Sequence, residues 1–252
     1  MAAEKVRYPL IVAEVHTTRE AIPLGPSRWS FPDSRRALPP GLVAVGGDFE
    51  PETVAAAYRA GAFPWPNDEE EYLWFSPDPR AVLSPRSVHF SRRLLRTIRR
   101  GHFCVTVDAA FDNVIALCSR AHEELWITPA LEEGYRALHR LGWAHSFETW
   151  NPEGRLVGGV YGVALGALFG AESMFHLETD ASKVAVAGMM SHLTALGVWL
   201  VDIQVISPHT RSLGGVEISR DEYLDSLSEA SRQPISWVST LSAGQGAEQT
   251  SD

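Results

Sequence analysis

An aspartate and a glutamine interrupt an otherwise apolar run, Val198-Trp199-Leu200-Val201-Asp202-Ile203-Gln204-Val205-Ile206. Residues two apart on a strand share a face, and an ionised carboxylate buried there is costly unless something pairs with it. Two readings stand side by side. In one, an arginine or backbone amides satisfy Asp202 and the pair only organises a core. In the other, Asp202 orients the Gln204 amide, whose oxygen faces a cleft and handles a proton. Glu172 follows the apolar stretch Gly166–Ala171 directly, so its carboxylate enters at a strand end, either as a solvated acid or as a third group of the same site.

Aromatic residues gather where loops are expected. Trp65, Trp74 and Phe75 surround Asn67–Glu71, and Trp126 lies just before a helix start at Thr128. Such rings either plug a core edge or, together with Phe169, wall an apolar pocket. The charge pattern is uneven. The net charge is −9, yet from Pro79 to Val107 there is no acid and there are seven arginines: Arg80, Arg86, Arg92, Arg93, Arg96, Arg99 and Arg100. The six from Arg86 to Arg100 form either a solvated face or a track for an anionic backbone such as RNA.

The elements that must position these groups follow from punctuation and period. A helix is expected from about Glu52 to Ala60, stopping at Gly61, and the two prolines after it put Trp65 on a loop. Ser91 caps a helix to Arg100 with Leu94, Leu95 and Ile98 inward and the arginines outward. Asp108 opens another, with Phe111, Val114, Ile115 and Cys118 at i, i+3, i+4 and i+7, and Thr128-Pro129 starts a third carrying Leu131, Tyr135 and Leu138. The period then changes to two. Strands at about 144–150, 156–163 and 167–171 make an antiparallel meander, Asp180 caps a helix burying Val186, Met189, Met190 and Leu193, and the Asp202 run is a central strand.

This order gives an α+β fold, a smaller mixed N-terminal domain preceding a larger one. The expected division is a loosely attached segment 1–30, a small domain 31–84, a catalytic domain 85–238 that includes the basic helix, and a disordered tail 239–252. With 252 residues and 45% hydrophobic content, the chain needs no disulfide or metal staple. Cys104 and Cys118 read as buried bystanders. No secretory signal is evident, and the long uncharged stretch 184–201 reads as a buried helix followed by a buried strand, so a cytosolic protein with no membrane association is expected. Metal spacing, a Walker loop, GxSxG and GxGxxG are all missing. The turns Arg155-Leu-Val-Gly-Gly-Val160 and Arg211-Ser-Leu-Gly-Gly-Val216 approach the pyrophosphate turn of acyl-CoA acetyltransferases, but both end in Val.

At these residues the sequence resembles the bacterial leucyl/phenylalanyl-tRNA–protein transferases. The resemblance is carried by Gly41-LVAVGGDFEPE-Thr53, Tyr58-RAGAFPW-Pro66, Leu73-WFSPDPRAVL-Ser84, Leu125-WIT-Pro129, Val157-GGVYGVALGALFGAESMF-His176, Val201-DIQV-Ile206 and His209-TRSLG-Gly215, spanning nearly the whole foldable chain. It implies transfer of Leu or Phe, less readily Met, from aminoacyl-tRNA to proteins beginning with Arg or Lys, forming an N-degron, with no metal or organic cofactor, by a monomer having a GNAT-like C-terminal domain. By motif, Trp65, Trp126 and Phe169 look like walls of the amino-acid pocket, with Val160 and Ser173 beside them. Tyr58 and Glu172 fall near the aminoacyl-adenosine end, and Asp202 and Gln204 look like the catalytic pair. Arg86, Arg92, Arg93, Arg96, Arg99 and Arg100 are expected on tRNA phosphates. Ala171, Phe75 and Val160 depart from the family's usual Gly, Trp and Met, and Ser207-Pro208 replaces its usual Asn-Asp.

Overall fold

The computed structural model describes residues 12–16, 20–65, 71–121 and 127–238. Trp126, most of the Asn67–Glu71 loop and the tail 239–252 lie outside them. In chain order the elements are β1 (Val12–Val15), β2 (Leu42–Val45), α1 (Pro51–Arg59), β3 (Phe63–Trp65), β4 (Leu73–Phe75), β5 (Arg80–Leu83), α2 (Arg92–Arg99), β6 (Cys104–Val107), α3 (Phe111–Ala121) and α4 (Pro129–Arg140). There follow β7 (Ala144–Trp150), β8 (Leu156–Leu165), β9 (Leu168–His176), α5 (Ala181–Leu196), β10 (Leu200–Gln204), α6 (Pro208–Ser212), β11 (Val216–Ile218) and α7 (Arg220–Ser231).

Local chemistry sets most of these boundaries. The Ser91 and Thr128 side chains accept from the backbone N–H of Leu94 and Leu131, capping α2 and α4. The i, i+3, i+4, i+7 set of α3 is buried throughout. The uncharged stretch 184–201 divides into the end of α5 and the start of β10, and among the described residues no helix is long and apolar enough to cross a membrane. Asp180 does not cap as expected. It occupies the N-cap position of α5 with φ 68°, and its carboxylate pairs with Lys183 and Arg93 instead of an amide.

An eight-stranded sheet, in the order β1-β6-β7-β8-β9-β10-β5-β11, makes the α+β body, and β2-β4-β3 form a small separate sheet. Two cores result. One face packs α1, α3, α4 and α7 around Tyr58, Tyr135, Tyr161 and Tyr223; the other packs α5 and α2 around Phe147, Phe169, Met189 and Met190. The expected boundaries shift accordingly. β5, assigned to the small domain 31–84, lies between β10 and β11 in the large sheet. β1, from the segment 1–30, pairs in parallel with β6. Such pairings join residues far apart in sequence and leave no local signature. Trp65 ends strand β3 rather than a loop, because Phe63-Pro64-Trp65 pairs with β4. Cys118 is buried, its thiol pushed up to about 12 by burial, whereas Cys104 is exposed on β6.

Candidate active site

The decisive local feature is a pair of irregularities side by side. β9 and β10 run parallel from Leu168↔Leu200 to Gly170↔Asp202, and their pairing stops there. On β9 the register against β8 jumps from Ala171 to Ser173, leaving Glu172 as the extra residue of a bulge. On β10 the register against β5 jumps between Asp202 and Gln204, leaving Ile203 extra, and Gln204 takes φ 60°. Bulges bend a strand and re-aim its side chains, so the strands part beyond Gly170 and Asp202. A cavity of about 170 Å³ opens at this point. Apolar walls from Leu83, Val160, Ala171, Met174, Val186, Met189 and Met190 enclose it, and Glu172, Ser173, Gln204 and His209 supply polar groups.

At the mouth of the gap, Gln204 Nε2 donates to both Glu172 oxygens, at 3.0 and 3.1 Å. Since a carboxylate only accepts, this contact fixes the amide orientation and turns Gln204 Oε1 away as an acceptor with no protein donor among the described residues. Tyr135 Oη donates to Glu172 Oε2 at 3.0 Å and also lies 3.0 Å from Tyr58 Oη. Burial pushes the Glu172 carboxyl up to about 7; hydrogen bonds from Tyr58, Tyr135 and Gln204 pull it back, and the charge of Asp202 raises it. Tyr58 and Tyr135, both fully buried, are held protonated well above the usual tyrosine range, first by burial and then by the Glu172 charge.

Asp202 takes a different place from the one expected. It does not share a face with Gln204 in simple alternation, because the bulge and the positive φ intervene. Its carboxylate meets the Arg80 guanidinium twice, at 2.8 and 2.6 Å, and accepts from Tyr223 Oη at 2.8 Å, with both ion-pair side chains only 1% exposed. The reading in which an arginine satisfies a buried Asp describes its side chain. Besides its charge on Glu172, it reaches the site through the backbone: Gln204 N–H donates to Asp202 Oδ1 at 2.9 Å, holding the residue that carries the amide. Arg80, which the sequence marks only as part of the acid-free basic stretch, is buried between the Phe63 and Tyr223 rings and donates to Gly61 O.

The remaining expected residues divide. Val160 and Ser173 line the cavity together with Glu172 and Gln204. Phe169 is fully buried in the layer behind the lining, and Tyr58 is buried beneath Glu172, bonded both to its carboxylate and to the Tyr135 hydroxyl. Trp65 is 40% exposed against Phe63 and Phe75 and is not part of the cavity wall. Arg80, Tyr135, Tyr223 and His209 were missed as site residues. Tyr135 was read only as part of a helix's inward stripe, and His209, alone in sequence, reaches the wall because the capping box of Ser207 and Thr210 closes α6 over it.

The basic helix behaves as its sequence implies. Arg86, Arg92, Arg93, Arg96, Arg99 and Arg100 are all exposed. Among the described residues, only Arg93 of these six meets a carboxylate, Asp180 at 3.8 Å. A wide open cleft of about 710 Å³ runs beside the helix end, lined by Thr97, Arg100, His102, Phe103 and residues 177–180.

Comparison with known proteins gives the family. The family model for the leucyl/phenylalanyl-tRNA protein transferase matches residues 82–228, and the model for that family's N-terminal domain matches 47–78. Proteins named leucyl/phenylalanyl-tRNA–protein transferase are similar along most of their length. One from Shewanella baltica (strain OS155) is 44% identical, covering 82% of this chain and 89% of that protein. One from Maridesulfovibrio salexigens is 46% identical, covering 81% and 87%. One from Anaeromyxobacter dehalogenans (strain 2CP-C) is 47% identical, covering 83% and 91%. Among solved structures, a tandem GNAT protein from the clavulanic acid biosynthesis pathway matches 72% of this chain and 58% of that one at 16% identity, with a TM-score of 0.34. The chain belongs to the leucyl/phenylalanyl-tRNA–protein transferase family.

Proposed function

We propose that this chain transfers Leu or Phe, and less readily Met, from aminoacyl-tRNA to the α-amine of proteins beginning with Arg or Lys, creating an N-degron. The observation that carries the reading is the small apolar cavity that ends at the Glu172–Gln204 pair. At about 170 Å³ it lies below the roughly 300–1,000 Å³ of pockets that engulf a drug-sized molecule, and it suits one apolar side chain. The ester of aminoacyl-tRNA is already activated, so the chemistry is aminolysis. The α-amine attacks the ester carbonyl, a C–N bond forms, the C–O bond to the tRNA 3′-oxygen breaks, and the proton lost by the amine ends on that oxygen. An α-amine has a pKa of about 7.7–8.0, so much of it is neutral near pH 7.5 and positioning outweighs base strength.

In this reading Gln204 Oε1 accepts a hydrogen bond from the attacking amine as positive charge develops, and Glu172, not Asp202, holds the amide for that purpose. Because Arg80 neutralises Asp202, Glu172 is the acid left to favour the cationic acceptor terminus. An acyl-CoA reaction is the rival. The two stretches that approach a pyrophosphate turn both end in Val, and the one at 155–160 lies mostly within strand β8, which speaks for the tRNA substrate. The test is transfer of labelled Phe from Phe-tRNA to a peptide beginning with Arg and to one beginning with Ala. Product with the Arg peptide alone is the expected result; tRNA binding without any product makes the chain a binding module.

The exposed arginines of α2, with Arg86 and Arg100, track acceptor-stem phosphates without reading bases. Replacing Arg92, Arg96 and Arg99 by Gln should flatten the slope of log K against log salt by about one unit per lost phosphate contact. An unchanged slope removes the helix from the interface.

A further inference from the structure

The layer behind the pocket lining is not self-supporting. Phe169 precedes the lining residue Ala171 by two on β9, and its ring lies over Gly162, the cross-strand partner of Ala171. A Cβ at Gly162 would stand 2.6 and 2.7 Å from two atoms of that ring, so the glycine makes the room that Phe169 occupies. On one side the ring meets Phe147 edge-on, at 5.9 Å between centroids. On the other it meets Trp237, at 5.7 Å. Trp237 comes from the segment after α7, outside the 82–228 stretch matched by the family model, yet it is only 5% exposed.

Trp237 is itself clamped. Its indole stacks on His145 at 3.8 Å with an interplanar angle of 4°, and His192 lies 5.8 Å away. His145 Nδ1 is held 2.7 Å from Asp108 Oδ2, which fixes the ring plane that Trp237 lies on. Among the described residues neither His145 Nε2 nor His192 Nε2, both buried, has a hydrogen-bond partner. Polar atoms left bare in this way are tolerated only where the surroundings enforce the packing, so the two imidazoles and the indole form one rigid block behind Phe169.

We propose that Trp237 is a specificity-determining positioning residue: by backing Phe169 it sets the depth of the amino-acid pocket and thereby the choice between Leu and Phe. The inference rests on the proposed aminoacyl-transfer function and extends it to a segment beyond the matched region. Shortening Trp237 lets the Phe169 ring settle into the vacated space and the lining of Val160, Met189 and Met190, in the same core cluster, sink with it, which deepens the pocket and favours the longer aromatic side chain. A hydrophobic pocket discriminates one methylene by about 10–200-fold, so Trp237→Ala should raise the Phe-to-Leu ratio of kcat/KM about tenfold. The change should enter through KM for the aminoacyl-tRNA, with uncharged tRNA binding unaltered. Trp237→Phe, which keeps a ring on His145, should restore most of the wild-type ratio.

The experiment is competitive transfer from a mixture of Leu-tRNA and Phe-tRNA to an Arg-initial peptide by the full chain and both variants. A ratio that stays within about twofold of wild type in Trp237→Ala overturns the proposal, as does an equal loss for both amino acids together with weaker uncharged tRNA binding. Should Trp237→Ala fail to fold, Trp237→Leu decides by the same ratio: a shift toward Phe supports the proposal and an unchanged ratio overturns it. Absence of transfer from wild type with either tRNA is a failure of the aminoacyl-transfer reading itself, a distinct outcome.

Discussion

Gln204→Ala should lower kcat for peptide-bond formation by about 100-fold or more, the usual scale for a group that assists proton movement at the reacting atom, while aminoacyl-tRNA still binds. The amide contributes nothing to the ion pairs or to the apolar cores, so the fold should be unaffected. Its partner gives the reaction a pH signature. Above about 7 Glu172 is a carboxylate that accepts both bonds from Nε2 and leaves Oε1 open to the amine. Below about 7 it gains a proton, and a protonated carboxyl can donate to Oε1 and occupy the acceptor. Activity therefore falls as pH drops through about 7, and the acceptor amine adds a second step at about 7.7–8.0. Glu172→Gln should erase the first step and keep the second. Single-turnover rates from pH 6 to 9 measure both, and a Gln204→Ala rate within threefold of wild type would show that the amide is not at the reacting centre.

The elements around this pair were readable because their signals are local. Ser91 and Thr128 cap, and α3 buries the four residues its period marks. The α+β class followed from three strands, a crossing helix and a fourth strand in that order. The site was half readable. Asp202 and Gln204 stood out as polar residues in an apolar strand, and Glu172 as an acid after one. What they do to each other depends on two bulges at Glu172 and Ile203, and neither carries a glycine or proline to announce it. A one-residue slip changes which face each later side chain takes, so the inference that Asp202 and Gln204 point together failed at that step. Glu172 was expected at a strand end, yet β9 continues to His176. Arg80 gave no site signal for a related reason: its burial is decided by β5 pairing with β10, more than a hundred residues away.

The largest effect on stability is expected at the pair that joins those two strands. Asp202→Ala leaves the Arg80 guanidinium buried without a counter-charge, a loss of about 3–5 kcal/mol for a broken buried ion pair. At roughly 2–4 °C per kcal/mol for a chain of this size, the melting temperature should fall by about 6–20 °C. The double variant Asp202→Leu with Arg80→Met removes both charges at once, and hydrophobic replacement of a buried pair is often neutral, so most of that stability should return. Activity should not return with it. The double variant still lacks the Asp202 Oδ1 acceptor for the Gln204 N–H, the bond that holds Gln204 at φ 60° and aims its amide at Glu172. A stable double variant with a much reduced kcat and an unaltered KM for aminoacyl-tRNA separates positioning from stability, because a residue needed only for folding would let kcat recover along with the melting temperature. Recovery of both assigns Asp202 to the core alone and leaves Glu172 as the sole support of Gln204. The buried pair therefore has two measurable roles: its charges close the β5–β10 seam, and one of its oxygens sets the backbone from which the amide reaches the gap.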